Sequence, residues 1–304
     1  MGVAVGGVIA LHTNGGSVLP WGWTLDPLVL ALVVTASVLY FRGYRALARS
    51  GKRPLHGKSQ LSAFYLGIAT VAVALLSPLD HLADELFLAH MTQHLLLTLV
   101  APPLILLGAP LLPLFRGIPR GARRAVVIPV ARAGEVRFVL RWLTKPIVAW
   151  SLFIAMLFAW HAPTAYEAAL HNEWIHQLEH FAFWSTALLF WWNVVDPAPL
   201  RSTLSYLARL PYTFIVMVPM FVFGAFATHA DTPWYPTYAL TAPAYGLTPA
   251  EDQEIAGLIM WIPSSFILLG VILIELAVTV RAEERKQRQI EQAEARAAAN
   301  GKPA

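Results

Sequence analysis

Seven stretches of this chain are so long and apolar that water is an unsuitable solvent for them: about 27–41, 60–79, 86–115, 146–160, 174–195, 211–228 and 255–279. A helix needs roughly 20 mostly apolar residues to cross a bilayer. Inside lipid every backbone polar group must find its partner within the spanning structure, which leaves helices or closed barrels. Continuous apolar runs, rather than alternating ones, select helices. Only 13% of the 304 residues are charged, against about a quarter in a soluble domain. The expected fold is all-α: a polytopic integral membrane protein with seven transmembrane helices. The fourth stretch is short and should extend at one end. The third carries Pro102-Pro103, which remove two backbone donors and should kink it near its middle.

The basic residues set the orientation, because Lys and Arg accumulate in loops that stay in the cytoplasm. Residues 42–58 hold six, 116–145 eight, 201–209 two and 281–302 six, which is the whole complement of 22. The N-terminal segment and the intervening segments, 80–85, 161–173 and 229–254, hold none and together carry most of the acidic side chains. The N-terminus is therefore expected outside and the C-terminus inside. Three regions follow: an extracytoplasmic extension over 1–26, a seven-helix membrane domain over 27–280, and a charged cytoplasmic tail over 281–304. The opening MGVAVGGVIALHTNGG has no basic residue before its apolar run, so it reads as a retained extension and not as a secretory signal. Within the basic segment 116–145, EVRFVLRWLTK has the helical spacing of a helix lying on the inner membrane surface.

The sequence pI of about 9.4 does not indicate nucleic acid, since the basic residues punctuate apolar runs and do not share a reading surface. No cysteine is present, which removes disulfides, iron–sulfur clusters and thiolate metal sites. A metal here must be held by nitrogen, oxygen or thioether.

Residues 90–94 read HMTQH and residues 176–180 read HQLEH. Residues four apart share one helix face, so each pair can present two imidazoles to one point. His90 and His94 lie near the outer end of the third span, and His176 and His180 near the outer end of the fifth, at matching depth. Polar groups at membrane depth are costly and tend to be functional. The expected metal ligands are thus His90, His94, His176 and His180, joined by His161 at the end of the fourth span, His229 at the end of the sixth and Met260 one turn inside the seventh. Glu179, Asp252 and Gln253 are expected around them, hydrogen-bonding the ligands. Imidazole with thioether and without thiolate, on the outer side, leans toward copper, with zinc still open. Loading should weaken as pH falls through the histidine range, because imidazole binds metal only when neutral.

Other readings fit less well. Two haems along one helix pair need same-helix histidines several turns apart, and four residues span only about 6 Å. A retinal Schiff base needs a lysine in the last span, and 255–279 contains none. HQLEH also matches H-x-x-E-H, in which two histidines bind zinc and the glutamate acts as general base. An intramembrane zinc-dependent hydrolase is therefore the enzymatic alternative, and a metal-free assembly scaffold the structural one.

The blocks HMTQHLLLTLVAPPLILLGAP, WHAPTAYEAAL, HQLEHFAFWSTALLFWW and DQEIAGLIMWIP, in that order, resemble the CtaG family of bacterial cytochrome c oxidase assembly factors. The resemblance covers roughly residues 25–280. It implies a multi-pass protein of the bacterial plasma (inner) membrane that is needed to make active haem–copper oxidase and assists copper delivery, with no reaction catalysed. It maps the family's histidine positions onto His90, His94, His161, His176 and His180, and its late block onto Asp252, Gln253, Met260 and Trp261. The implied partners are haem–copper oxidase subunits, the lipid bilayer and an extracytoplasmic copper donor. Trp191 and Trp192 read as lipid-level aromatics that an oxidase docking laterally would meet.

Overall fold

The computed structural model describes residues 18–19, 22–49 and 57–299. Most of the expected N-terminal extension, the basic segment 50–56 and the last residues of the tail lie outside the described residues, as do His12 and His56. A two-residue hairpin, Val18–Leu19 with Trp23–Thr24, precedes the helices. Every other described element is helical.

Seven helices fall on the seven apolar stretches. They are α1 (Pro27–Ala48), α2 (Lys58–Leu76), α4 (Phe87–Leu107), α7 (Pro146–Trp160), α9 (Glu173–Val195), α10 (Tyr206–His229) and α12 (Pro249–Ala299). Between them lie α3 (Pro78–Glu85), α5 (Leu111–Gly117), α6 (Gly134–Leu143), α8 (Pro163–His171) and α11 (Pro236–Thr241). Five of the seven, α1, α2, α4, α10 and α12, are long and apolar enough by themselves to cross a membrane. A sixth span arises if α6 and α7, which meet at a 70° bend, are counted together. The remaining helix, α9, has 23 residues but is diluted by His176, Glu179, His180 and Asn193. The polar side chains that make α9 interesting also keep it out of a count based on apolarity.

The surface supports a lipid environment. Leu32, Leu66, Ile147, Phe214, Phe226 and Phe266 are all exposed, whereas charged residues concentrate at helix ends and in α6 and the far end of α12. The protein is a membrane protein. No side chain of α6 is buried, as suits a helix at the membrane surface. The end of α12 runs on as a charged, exposed helix beyond the apolar stretch.

Close helix crossings depend on small residues. A Cβ on Gly257 of α12 would collide with Thr228 of α10, and one on Gly224 would press against Trp261. Gly43 of α1 and Gly117 of α5 likewise touch the opposing backbone at Pro113 and Leu39. Such contacts let membrane helices approach where no hydrophobic force drives them together.

The third apolar stretch does not continue as one helix to residue 115. It stops at Leu107 and restarts as α5, with Ala109 in the left-handed conformation (φ 46°). Pro102 and Pro103 sit in its second half, and the helix widens to a π turn over Leu96–Val100 just before them. Pro102 has no N–H to offer the Thr98 carbonyl one turn back. The Trp191 indole N–H donates to that carbonyl instead, at 2.7 Å. Trp191 is therefore buried in the core and faces no lipid, which corrects its reading as a belt residue: its polar N–H has a backbone acceptor to satisfy. Residues 80–85 also differ from expectation. They form the end of α3 with Asp80, Asp84 and Glu85 buried, not an exposed acidic loop.

Candidate metal centre

The site is built on α4 and α9, whose starts are both capped. Asn172 accepts from the backbone N–H groups of Trp174 and Ile175 at the start of α9. Helix α4 has no cap of its own, since Leu86 occupies the cap position. Its first two N–H groups, of Phe87 and Leu88, donate instead to the Asp252 carboxylate of α12, each at 2.9 Å. An anion at a helix N-terminus is stabilising, so Asp252 fixes the helix that carries His90 and His94. Gln253 acts on the neighbouring loop: it accepts from Trp234 N–H at 2.6 Å and donates to the Thr232 carbonyl. Both residues position the site from outside and hydrogen-bond none of its imidazoles.

The two histidine pairs face each other. The His90 and His94 rings lie 4.3 Å apart, as do those of His176 and His180; across the helices His90 to His176 is 5.4 Å and His94 to His180 is 5.8 Å. His90 Nε2 and His94 Nε2 are 2.9 Å apart, a distance that suits either an N–H···N bond or two lone pairs aimed at one ion. Glu179, fully buried, points into the same space, with its oxygens 3.9 Å from His90 Nε2 and 3.7 Å from His94 Nε2. Two triads can each share an ion, with ligand atoms all within 4.8 Å of one another: His90, His94 and His180, and His90, His176 and Glu179. Glu179 thus stands nearer the centre than a side chain that merely orients a ligand.

Tyr238, 148 residues from His90, sets the ring orientation. Its hydroxyl donates to the Ala83 carbonyl at 2.8 Å and lies 2.9 Å from His90 Nδ1. With its own proton committed, the hydroxyl accepts from His90 Nδ1–H and leaves Nε2 as the lone-pair nitrogen, the usual arrangement of a ligating histidine. His161 follows the same logic: Nδ1–H donates to the Leu157 carbonyl at 2.7 Å. Its Nε2 is buried with no hydrogen-bond partner, as are His94 Nδ1, His180 Nε2 and both Glu179 oxygens. A carboxylate without hydrogen bonds among imidazoles is expensive to bury unless a cation or proton joins it. These donors fit a cation.

Not every expected ligand joins this cluster. His229 is exposed at the end of α10, and its Nδ1 bonds the Ala225 carbonyl. His161 and Met260 instead line a separate small cavity beside His94. Toward the hairpin side, His176 and His180 border another small cavity with Asp26 and Asp80. Asp80 accepts from Thr24 and Gln93. Burial, then the neighbouring Asp80 and Glu85, push the Asp84 carboxyl up to about 8. Tyr238, Tyr166, Gln93, Met91 and Met220 carry no spacing signal that tied them to the site; Met91 and Gln93 sit within the HMTQH string.

Fold and site together define a polytopic helical membrane protein with a buried histidine–carboxylate cluster between two of its helices. The chain belongs to the cytochrome c oxidase caa3 assembly factor family (Caa3_CtaG), which it matches over residues 38–282. It is similar to uncharacterized proteins of Mycobacterium bovis and Mycobacterium tuberculosis, each 27% identical over 281 residues, covering 88% of this chain and 40% of theirs. A Mycobacterium leprae protein, also uncharacterized, is 23% identical over 278 residues, covering 86% of this chain and 40% of its own length. The chain thus spans about 40% of the length of the curated relatives it matches. No solved structure matches it.

Proposed function

We propose that this chain is an assembly factor of the bacterial plasma membrane that carries copper as cargo for a haem–copper oxidase, held between α4 and α9. In this reading all seven long helices cross the bilayer, with the N-terminus outside. The distribution of the 22 basic residues supports that orientation through the positive-inside rule. The single observation that carries the metal reading is the buried Glu179 carboxylate, with no hydrogen bond and 3.7–3.9 Å from two imidazole nitrogens. Neutral imidazoles with one carboxylate suit zinc or copper. Asp26 and Asp80, beside His176 and His180, give a cation an acidic approach from the outer side. Exchangeable binding without thiolates suits delivery better than permanent storage, and the oxidase would receive the ion within the membrane plane.

Metal analysis of the purified protein beside a His176→Ala/His180→Ala variant tests this reading. The wild type should hold stoichiometric metal and the variant should lose most of it. Equal metal in both, or none in the wild type, refutes the carrier and leaves a scaffold. One observation keeps an enzymatic alternative in view: Glu179 lies where the general base of an H-x-x-E-H hydrolase would stand. A hydrolase would turn over substrate and would keep its metal in Glu179→Gln while losing that turnover.

A further inference from the structure

Beside the histidine–carboxylate cluster lies a cavity of about 30 Å³ whose lining includes Met91, Met220, Met260, His94 and His161. These side chains come from four elements: Met91 and His94 from α4, His161 from the end of α7, Met220 from α10 and Met260 from α12. Met91 and His94 are three residues apart and so share a helix face. All five are buried. Methionine ordinarily fills irregular gaps in a core. Here three of the six methionines of the chain border a space that stays open. Two buried ring nitrogens without a partner, His161 Nε2 and His94 Nδ1, belong to residues lining the same space. An orphaned polar atom in such a place costs about 1–3 kcal/mol; Leu95, Leu157, Phe153 and Phe183 in the same wall offer it nothing, and the hydroxyls there belong to Thr98, which donates to the His94 carbonyl, and Ser264.

We propose that this cavity is a second cation site, selective for a soft monovalent ion such as Cu(I), and that His94 links it to the outer cluster. The donor chemistry separates the two. Thioethers favour the cuprous ion, and a neutral set of three thioethers and two imidazoles leaves a single positive charge uncompensated, whereas a dipositive ion would be far costlier in an apolar wall. The outer cluster includes Glu179 and suits a dipositive ion. His94 serves each in turn, through Nε2 at the outer cluster, 2.9 Å from His90 Nε2, or through Nδ1 at the cavity, because a neutral imidazole has one lone pair and its proton must pass to the nitrogen that the ion leaves. Cu(I), whose charge the Glu179 carboxylate can also balance, can then move between the sites by exchanging ligands at this ring, with no change of oxidation state. A cavity of this size holds a water-sized occupant and no larger cofactor.

This inference rests on the carrier reading, and one experiment separates their failures. The full chain in detergent is loaded anaerobically with Cu(I), with ascorbate as reductant so that no added thiol is present, and separately with Zn(II). X-ray absorption at the copper edge should show sulfur scattering, which in a chain without cysteine comes from methionine alone. The Met91→Leu/Met220→Leu/Met260→Leu variant should lose that sulfur shell and one equivalent of Cu(I) while keeping its Zn(II). Methionine-to-leucine exchanges conserve volume and usually cost less than about 1.5 kcal/mol each; if the triple variant does not fold, the three single variants take its place, each expected to lose part of the sulfur shell. Zn(II) binding with Cu(I) that shows no sulfur neighbours overturns the second site and spares the carrier. Sulfur scattering that persists in the variant assigns it to Met1, Met156 or Met217 and overturns the site as well. A wild type that takes up neither ion removes both proposals.

Discussion

Glu179→Gln separates charge from shape at the centre of the site. Glutamine keeps the volume and one carbonyl oxygen, so packing among His90, His94, His176 and His180 is preserved and only the negative charge goes. An ion bound by the Nε2 atoms of His90 and His94 would stand about 4 Å or less from a carboxylate whose oxygens are 3.7 and 3.9 Å from those nitrogens. At that separation and an effective dielectric of about 20, one unit of charge contributes roughly 4 kcal/mol per unit charge on the ion. At about 1.4 kcal/mol per decade this is on the order of a thousandfold in affinity for a monovalent ion and at least that for a dipositive one. Competition titration of the purified protein with a chromophoric chelator reads this directly. The metal-free variant should unfold at a temperature no lower than the wild type, because no hydrogen bond to Glu179 is lost. Affinity within a few-fold of wild type would refute the reasoning: the carboxylate would then not be what balances the ion, and the general-base role would gain.

Three further outcomes follow from the supporting contacts. Tyr238→Phe removes the acceptor of His90 Nδ1 and should weaken metal binding about 10- to 100-fold, with a loss of about 1 kcal/mol of stability from its bond to the Ala83 carbonyl; calorimetric titration giving unchanged affinity would mean other contacts orient the ring. Asp252→Ala strips the start of α4 of its acceptor for Phe87 and Leu88 and should cost about 1–2 kcal/mol, with faster amide hydrogen exchange confined to residues 87–92; unaltered exchange there would dismiss the cap. At the opposite end, burial pushes the Asp196 carboxyl up, but the Ser202 N–H and then Arg209 and Arg201 outweigh it and hold it below the ordinary carboxylate range. A depressed carboxylate adds stability that is present above its unfolded value of about 3.9 and is lost as pH falls through the folded value. Asp196→Asn should therefore lower stability by about 1 kcal/mol near neutral pH, the scale of a solvent-screened ion pair, and the gap to wild type should close as pH falls through the folded value; a gap independent of pH would assign the loss to packing.

The helices were legible because apolar length and charge placement act locally: each stretch carries its own signal. Convergence of the two histidine pairs was legible for a similar reason, since i,i+4 spacing fixes a face and each pair lies near one end of its apolar stretch. What sequence could not place was anything set by contacts between distant segments. Tyr238 reaches His90 across 148 residues, and Asp252 reaches Phe87 across 165; no periodicity encodes such pairings. Trp191 misled because an aromatic at lipid level and an aromatic filling a proline gap have the same local sequence. His229 misled because a helix-end histidine reads the same whether it turns inward or bonds its own helix, as it does here to Ala225.

The misplaced elements share a cause that bears on function. A strictly regular α4 would satisfy all its own backbone groups and leave its neighbours nothing to grip. Instead Pro102 frees the Thr98 carbonyl for Trp191 of α9, Leu86 leaves the first N–H groups for Asp252 of α12, and Thr98 bonds back to the His94 carbonyl just before the π turn. The first two tie α4 to different helices at different heights, and the third closes within α4 itself. In lipid, where apolar contact between helices supplies little preference, such polar ties are what can hold His90 and His94 at a set distance from His176 and His180. Trp191→Phe should then loosen the C-terminal half of α4 and shift metal affinity although residue 191 touches no ligand. Trp191→Phe that lowers stability by about 1 kcal/mol and leaves affinity unchanged would show that the α4–α9 spacing is set elsewhere.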